Sequence, residues 1–167
     1  MALTSAPPSL PAYRATLEPD WIDYNGHLRD AYYGLIVSYA IDDVMDHLGL
    51  DAAYRASTQC TLYTLEMHIH YLHEVKESDA LEVHTCILDA DAKRFHAGCR
   101  FTCPRLNEPV ATSDVMLLHV HQGGKPASAA FPSEIEEKLQ ALKLSADLAA
   151  AWAPRSRKIE ILRRPAK

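Results

Sequence analysis

Between Asp30 and Leu48 the apolar positions Tyr32, Leu35, Ile36, Tyr39, Ala40, Val44, Met45 and Leu48 recur in steps of three and four. That period predicts an α-helix, and Gly49 stands where a C-cap glycine would. Ala31, Tyr33, Val37 and Ile41 fill further sides, so this helix is expected to be buried. After "DAAYRASTQ", read as a linker, the period becomes two. Thr64, Glu66, His68 and His70 fall on one face of a strand, with Leu65, Met67, Ile69 and Tyr71 on the other. Strand-like runs follow at 80–90, 93–103 and 109–121, joined by the short turns "KESD", "DAD" and "PRLNE". A weaker alternation at 13–18 suggests a first strand. "PSEIEEKLQAL" carries a Pro-Ser start signal and predicts a short amphipathic helix, and "SADLAAAW" adds a further turn or two.

One greasy helix and four or five antiparallel strands must cover each other. The expected class is therefore α+β, a curved antiparallel sheet wrapped around one long buried helix. Edge strands and leftover apolar surface favour a homodimer or homotetramer. The domain is expected over 13–145, after a disordered or extended lead at 1–12 and before a short helix and basic tail at 146–167.

With 167 residues, 48% hydrophobic and 23% charged, the chain suits one globular domain. No apolar run approaches the ~20 residues of a membrane span. "MALTSAPPSLPAYR" lacks the basic and apolar regions of a secretory signal. A net charge of -5 argues against a nucleic-acid partner. The charge is uneven: from Pro154 onward six basic residues face one acid. That tail reads as solvated chain or as a patch for an anionic group. Cys60, Cys86, Cys99 and Cys103 form no metal or redox motif, and reduced core thiols point to the cytoplasm.

Candidate chemistry concentrates in "DWIDYNGHLRDAYYG", residues 20–34. Asp23, Asn25 and His27 bring a carboxylate, an amide and an imidazole onto a turn that feeds the predicted helix. A carboxylate on a loop can serve as general base or nucleophile. The free N–H groups of a helix start can hold a developing oxyanion. Asp23 and Asn25 could equally make ordinary turn hydrogen bonds. Elsewhere, Glu66, His68 and His70, or His119 and His121, are spaced like polar strand residues, and no metal site is expected.

The spacing Asp23, Gly26, His27, Tyr33 resembles the hotdog-fold acyl-CoA thioesterases of the 4-hydroxybenzoyl-CoA thioesterase type, across about residues 13–122. More narrowly, "PDWIDYNGHLRDAYY", "YTLEMHIHYLHEVK", "DAKRFH" and "MLLHV" are similar to the betainyl-CoA thioesterases of bacterial carnitine breakdown. The resemblance implies a hotdog fold and hydrolysis of betainyl-CoA to glycine betaine and CoA, with no cofactor beyond the CoA of the substrate. It implies that Asp23 attacks the thioester or activates water. Gly26 would let the backbone approach the acyl-thioester, His27 would order the loop or contact substrate, and a backbone N–H near Asp30 would polarise the carbonyl.

Two departures shape the substrate expectation. Arg29 and Asp30 stand where many relatives have two Asn, and Ser38 stands where another branch has a helical Glu. An acid at Asp30 would oppose catalysis on a neutral acyl group but suit a cationic one. A quaternary ammonium is held by aromatic faces, worth ~0.5–2 kcal/mol per contact. Some of Trp21, Tyr24 and Tyr33, with one acid, are therefore expected to form a cation site, with Asn25 beside them and Glu66 orienting water or meeting the cation. Lys76, Lys93, Arg94 or the basic tail could hold the CoA nucleotide. Thioester hydrolysis of another small acyl-CoA, a hotdog dehydratase or hydratase, and a non-catalytic acyl-CoA-binding protein are the alternative readings.

Overall fold

The computed structural model describes residues 10–152. The basic tail beyond Pro154 lies outside the described residues. A short strand β1 (Tyr13–Ala15) and a 3-10 turn at Pro19–Trp21 precede helix α1 (Asp30–Leu48). Helix α2 (Ala52–Thr58) leads into four long strands: β2 (Cys60–Tyr71), β3 (Leu81–Ala90), β4 (Arg94–Thr102) and β5 (Ala111–His121). A two-residue strand β6 (Ala127–Ser128), helix α3 (Ser133–Leu142) and helix α4 (Ala146–Trp152) complete the fold.

The predicted bounds of α1 hold at both ends. Asp30 Oδ1 accepts the Ala31 N–H at 2.9 Å in the first turn. At the other end Gly49 adopts φ 92°, and its N–H and that of Leu50 close back on Met45 O at 3.0 and 2.8 Å. Only a residue free to enter the left-handed region makes this exit without strain. The helix is less enclosed than its composition suggested. Tyr33, Ile36, Val37, Ala40, Ile41, Val44, Met45 and Leu48 are buried. Ser38, Tyr39, Asp42, Asp43, Asp46 and His47 are exposed along the opposite side.

The sheet is antiparallel, in the order β1-β3-β4-β5-β2, with β6 added to β5. On the face toward α1, Val83, Phe95, Ala97, Cys99, Phe101, Val115 and Leu117 are all buried. Registers such as Phe95↔Leu117 and Ala97↔Val115 put these side chains in rows across neighbouring strands. Helix α3 closes one end. Its Ile135 and Leu139 are buried, and Lys138 Nζ donates to Leu48 O at 3.1 Å, satisfying a terminal carbonyl of α1.

Further expectations change. "DAAYRASTQ" is not a linker: Asp51 accepts the Tyr54 N–H at 2.8 Å as an N-cap, and Gln59 ends α2 at φ 55°. The strict alternation of β2 breaks at a bulge between Thr64 and Glu66. Thr64 pairs with buried Leu117 while Glu66 pairs with Met116, so these two do not share a face, and Leu65 bulges outward. Strand β6 was not expected, since two residues carry too little pattern.

All four cysteines are free and buried. Burial pushes the thiols of Cys86 and Cys99 up to about 12, which keeps them protonated and inert. His119, 1% exposed, is a core residue: its ring lies 3.0 Å from Ala129 O through Nδ1 and 2.9 Å from the Tyr54 hydroxyl through Nε2. The described residues include no group of three or more His, Cys, Asp or Glu placed to hold a metal ion.

Candidate active site

The segment Asp23–His27 is a tight turn built on its own aspartate. Asp23 Oδ1 accepts the backbone N–H of Asn25 at 2.8 Å and of His27 at 3.0 Å. The main chain closes the same loop, with Asp23 N–H to His27 O at 2.8 Å and Gly26 N–H to Asp23 O at 3.0 Å. Gly26 takes φ 80° with open space around its Cα, so its place in this turn is explained by backbone conformation rather than by crowding. Both side-chain bonds end on Oδ1, and neither uses Oδ2. The His27 N–H, then that of Asn25, with the nearby Arg29 charge, hold the Asp23 carboxyl below its ordinary range against a smaller effect of burial. Asp23 is thus a carboxylate at neutral pH.

The turn is anchored on both sides. Leu28 N–H donates to Val75 O at 2.8 Å, and Arg29 N–H donates to Trp21 O at 2.9 Å. These bonds deliver the chain into α1 beside a cleft of about 300 Å³. From the turn and helix come His27, Leu28, Asp30 and Tyr33; from the end of β2 and the residues after it come Tyr71, Leu72, His73 and Glu74. His27 Nε2 lies 3.2 Å from Glu74 Oε2. The Tyr71 hydroxyl donates to Asp30 O at 3.1 Å. Tyr33, 3% exposed, packs edge-on against Tyr71 at 5.1 Å, and burial pushes its hydroxyl up to about 12.

The first N–H groups of a helix have no intrahelical acceptor. At α1 the Ala31 N–H is taken by Asp30 Oδ1 and the Tyr32 N–H by Arg29 O at 3.1 Å. No bond to the Asp30 N–H is present among the described residues. That donor sits at the positive end of a 19-residue helix, where an anion is favoured.

The structure brings His27, Asp30 and Tyr33 together in the cleft and sets Asp23, Asn25 and Gly26 on the turn beside it. It does not assemble the expected aromatic site within this chain. Trp21 stacks on Tyr32 at 5.1 Å and 14°, Tyr33 turns into the core against Phe101 and Tyr71, and Tyr24 is 94% exposed. Glu66 stands on the face of the sheet away from α1. There it pairs with His68 at 3.0 Å, beside a second pair, His96 and Asp114 at 3.1 Å. Of the basic residues considered for the nucleotide, Arg94 is clasped by Asp91 through two bonds of 2.9 and 2.6 Å.

Tyr71 and Glu74 are cleft residues that sequence reasoning did not single out. Both lie far beyond the turn in sequence, and only the pairing of β2 with β5 and of the turn with Val75 brings them to it. The loop that carries Glu74 is itself held. Arg105 donates to Glu74 O at 2.8 Å and to both oxygens of Asp79 at 3.0 and 2.8 Å. That guanidinium, and the Lys76 N–H, hold the Asp79 carboxyl low.

A sheet curled against one long helix, with a carboxylate turn at the helix start, is the hotdog thioesterase arrangement. The Thioesterase-like superfamily matches residues 17–139, and the chain belongs to that family. It is 45% identical over 133 residues to a betainyl-CoA thioesterase of Pseudomonas aeruginosa, covering 80% of this chain and 83% of that protein. A crystal structure of a candidate thioesterase from Pseudomonas putida KT2440 superimposes with a TM-score of 0.72 at 40% identity, over 95% of this chain and 99% of that one. A hypothetical protein of Staphylococcus aureus, solved in complex with CoA, superimposes with a TM-score of 0.83 at 26% identity, over 96% of this chain and 100% of that one.

Proposed function

We propose that this acyl-CoA thioester hydrolase acts on betainyl-CoA, releasing glycine betaine and CoA. The observation that carries the reading is the placement of Asp23 on a turn whose His27, and whose following Asp30, both line one cleft. The similarity to the Pseudomonas aeruginosa enzyme supports the choice of acyl group.

In the proposed mechanism the thioester carbonyl faces the start of α1. Asp23 either removes a proton from water as the water oxygen bonds to the carbonyl carbon, or attacks that carbon itself. The carbonyl oxygen becomes an oxyanion held by the Asp30 N–H, and the C–S bond breaks as the carbonyl reforms. The CoA thiolate leaves and is protonated. If Asp23 is the nucleophile, water then attacks the aspartyl carbon of the acyl-aspartyl anhydride, releasing the acyl carboxylate. Gly26 and the Asp23 hydrogen bonds fix the turn, and His27, paired with Glu74, holds its far end. Over repeated turnovers in oxygen-18 water, a nucleophilic Asp23 acquires label and a base does not.

A thiol-release assay over betainyl-, acetyl-, longer acyl- and aromatic-CoA tests the function. Asp23→Asn should lower kcat by about 10²–10⁴-fold, the usual worth of a positioned base, while CoA-thioester binding survives. Undiminished turnover would remove Asp23 from the mechanism.

We also infer a homo-oligomer. Strand β2 is an edge of the sheet, and its 12 residues include no Lys, Arg or Pro to guard it. No helix among the described residues is long and apolar enough to cross a membrane. The four free cysteines support a reducing, cytoplasmic setting for the reaction.

A further inference from the structure

Because Trp21, Tyr24 and Tyr33 do not gather, a cationic acyl group needs another seat. We propose that the cleft between the start of α1 and the end of β2 is a quaternary-ammonium subsite, with Tyr71 and Glu74 as its specificity-determining residues and Asp30 as a second carboxylate. The proposal rests on the betainyl-CoA reading above.

Distance along the substrate selects the place. In a betainyl thioester the ammonium nitrogen is separated from the reacting carbonyl carbon by one methylene. The cation must therefore sit in the same cleft as the Asp30 N–H that receives the oxyanion. Glu66, on the opposite face of the sheet, cannot reach it, and Tyr24 projects into solvent.

The lining suits this cation. A quaternary ammonium has no N–H to donate, so it is recognised by ring faces, apolar contact and negative charge left uncancelled. Tyr71 is 53% exposed, yet its ring is fixed at both ends, by the hydroxyl bond to Asp30 O and by the edge-on contact with Tyr33. Leu28 and Leu72 offer surface for the methyl groups. Asp30 and Glu74 supply two carboxylates, that of Glu74 meeting His27, and the cleft lining contains no Lys or Arg. At about 300 Å³ the space lies at the small end of ligand pockets, which suits a short acyl group.

The same charges give selectivity a mechanism. Two carboxylates near the helix start oppose an oxyanion formed on a neutral acyl chain. A cation one methylene away from that oxyanion offsets them. The backbone of Glu74 is held by the Arg105 bond to its carbonyl, and its carboxylate meets His27.

The test compares betainyl-CoA with 3,3-dimethylbutanoyl-CoA, in which carbon replaces the charged nitrogen at nearly the same shape. The wild-type protein should prefer betainyl-CoA. Tyr71→Leu should lower the ratio of the two kcat/KM values by about 3- to 30-fold, the range of one cation–π contact, and Glu74→Gln should lower it as well by removing a carboxylate, both chiefly through KM for betainyl-CoA. A general loss of fold or turnover cancels in the ratio. A ratio unchanged in both variants would overturn the subsite while leaving the betainyl-CoA reading intact. A wild-type protein that hydrolyses both substrates equally would instead overturn that reading, and the subsite with it.

Discussion

Gly26 and Asp23 depend on each other at the scale of single residues. The φ of 80° at Gly26 lets the N–H groups of Asn25 and His27 converge on one aspartate oxygen. A side chain in that left-handed conformation costs about 1–2 kcal/mol. Gly26→Ala should lower stability by about that amount in urea unfolding and also reduce turnover, because the turn that aims Asp23 distorts. The pH dependence follows from the same bonds. Their donors favour the carboxylate, so Asp23 stays ionised below the usual carboxylate range. If it is the base or nucleophile, the acid limb of kcat/KM should fall at lower pH than for an unperturbed aspartate. Stability has its own acid limb. Asp91 is held down to about 2, first by the Arg94 side chain and then by the Lys93 N–H. A depressed carboxyl stabilises the fold above its unfolded pKa of about 4 and loses that contribution as pH falls toward 2. The stability deficit of Asp91→Ala should therefore be full at pH 7 and shrink between about pH 4 and 2, and a deficit constant with pH would contradict this.

At the scale of elements, legibility tracked how local each signal was. Helix α1 could be read to both ends because Asp30, the three-four spacing and Gly49 are all signals within the element. Helix α2 was missed although Asp51 capped it, since seven residues give little periodicity and part of its anchor is distant. That anchor is the Tyr54 hydroxyl on buried His119, a contact 65 residues away. With Nδ1–H donating to Ala129 O, the Nε2 of His119 accepts from Tyr54. Tyr54→Phe leaves this buried acceptor alone and should cost about 1–3 kcal/mol in urea unfolding. An unchanged midpoint would mean that water reaches His119. The site divides in the same way. Asp23 to His27 was legible because its bonds join residues within the turn, whereas Tyr71 and Glu74 enter only through strand pairing. Trp21, Tyr24 and Tyr33 do not meet within this chain for a related reason: clustering in sequence said nothing about direction, and Trp21 stacks on Tyr32.

At the scale of the whole molecule the question is what covers β2. Its outer edge presents unpaired backbone groups, and Tyr63, Leu65, Tyr71 and Leu72 are large, exposed and apolar along the strand and just beyond it. An edge of this length without Lys, Arg or Pro is a template for another strand, and a second copy of the chain offers the same edge in self-complementary form. Leu65, pushed out by the bulge and 54% exposed, touches little of its own chain's core, so changing it should spare the fold. Leu65→Lys should therefore shift the protein toward monomer in sedimentation velocity while leaving its unfolding curve cooperative. Tyr71 connects this edge to the cleft, so assembly and activity should be coupled. The variant's specific activity should then rise with protein concentration as subunits reassociate. A Leu65→Lys protein that sediments like the wild type would place the interface elsewhere, and a monomer with undiminished activity would uncouple the cleft from the edge.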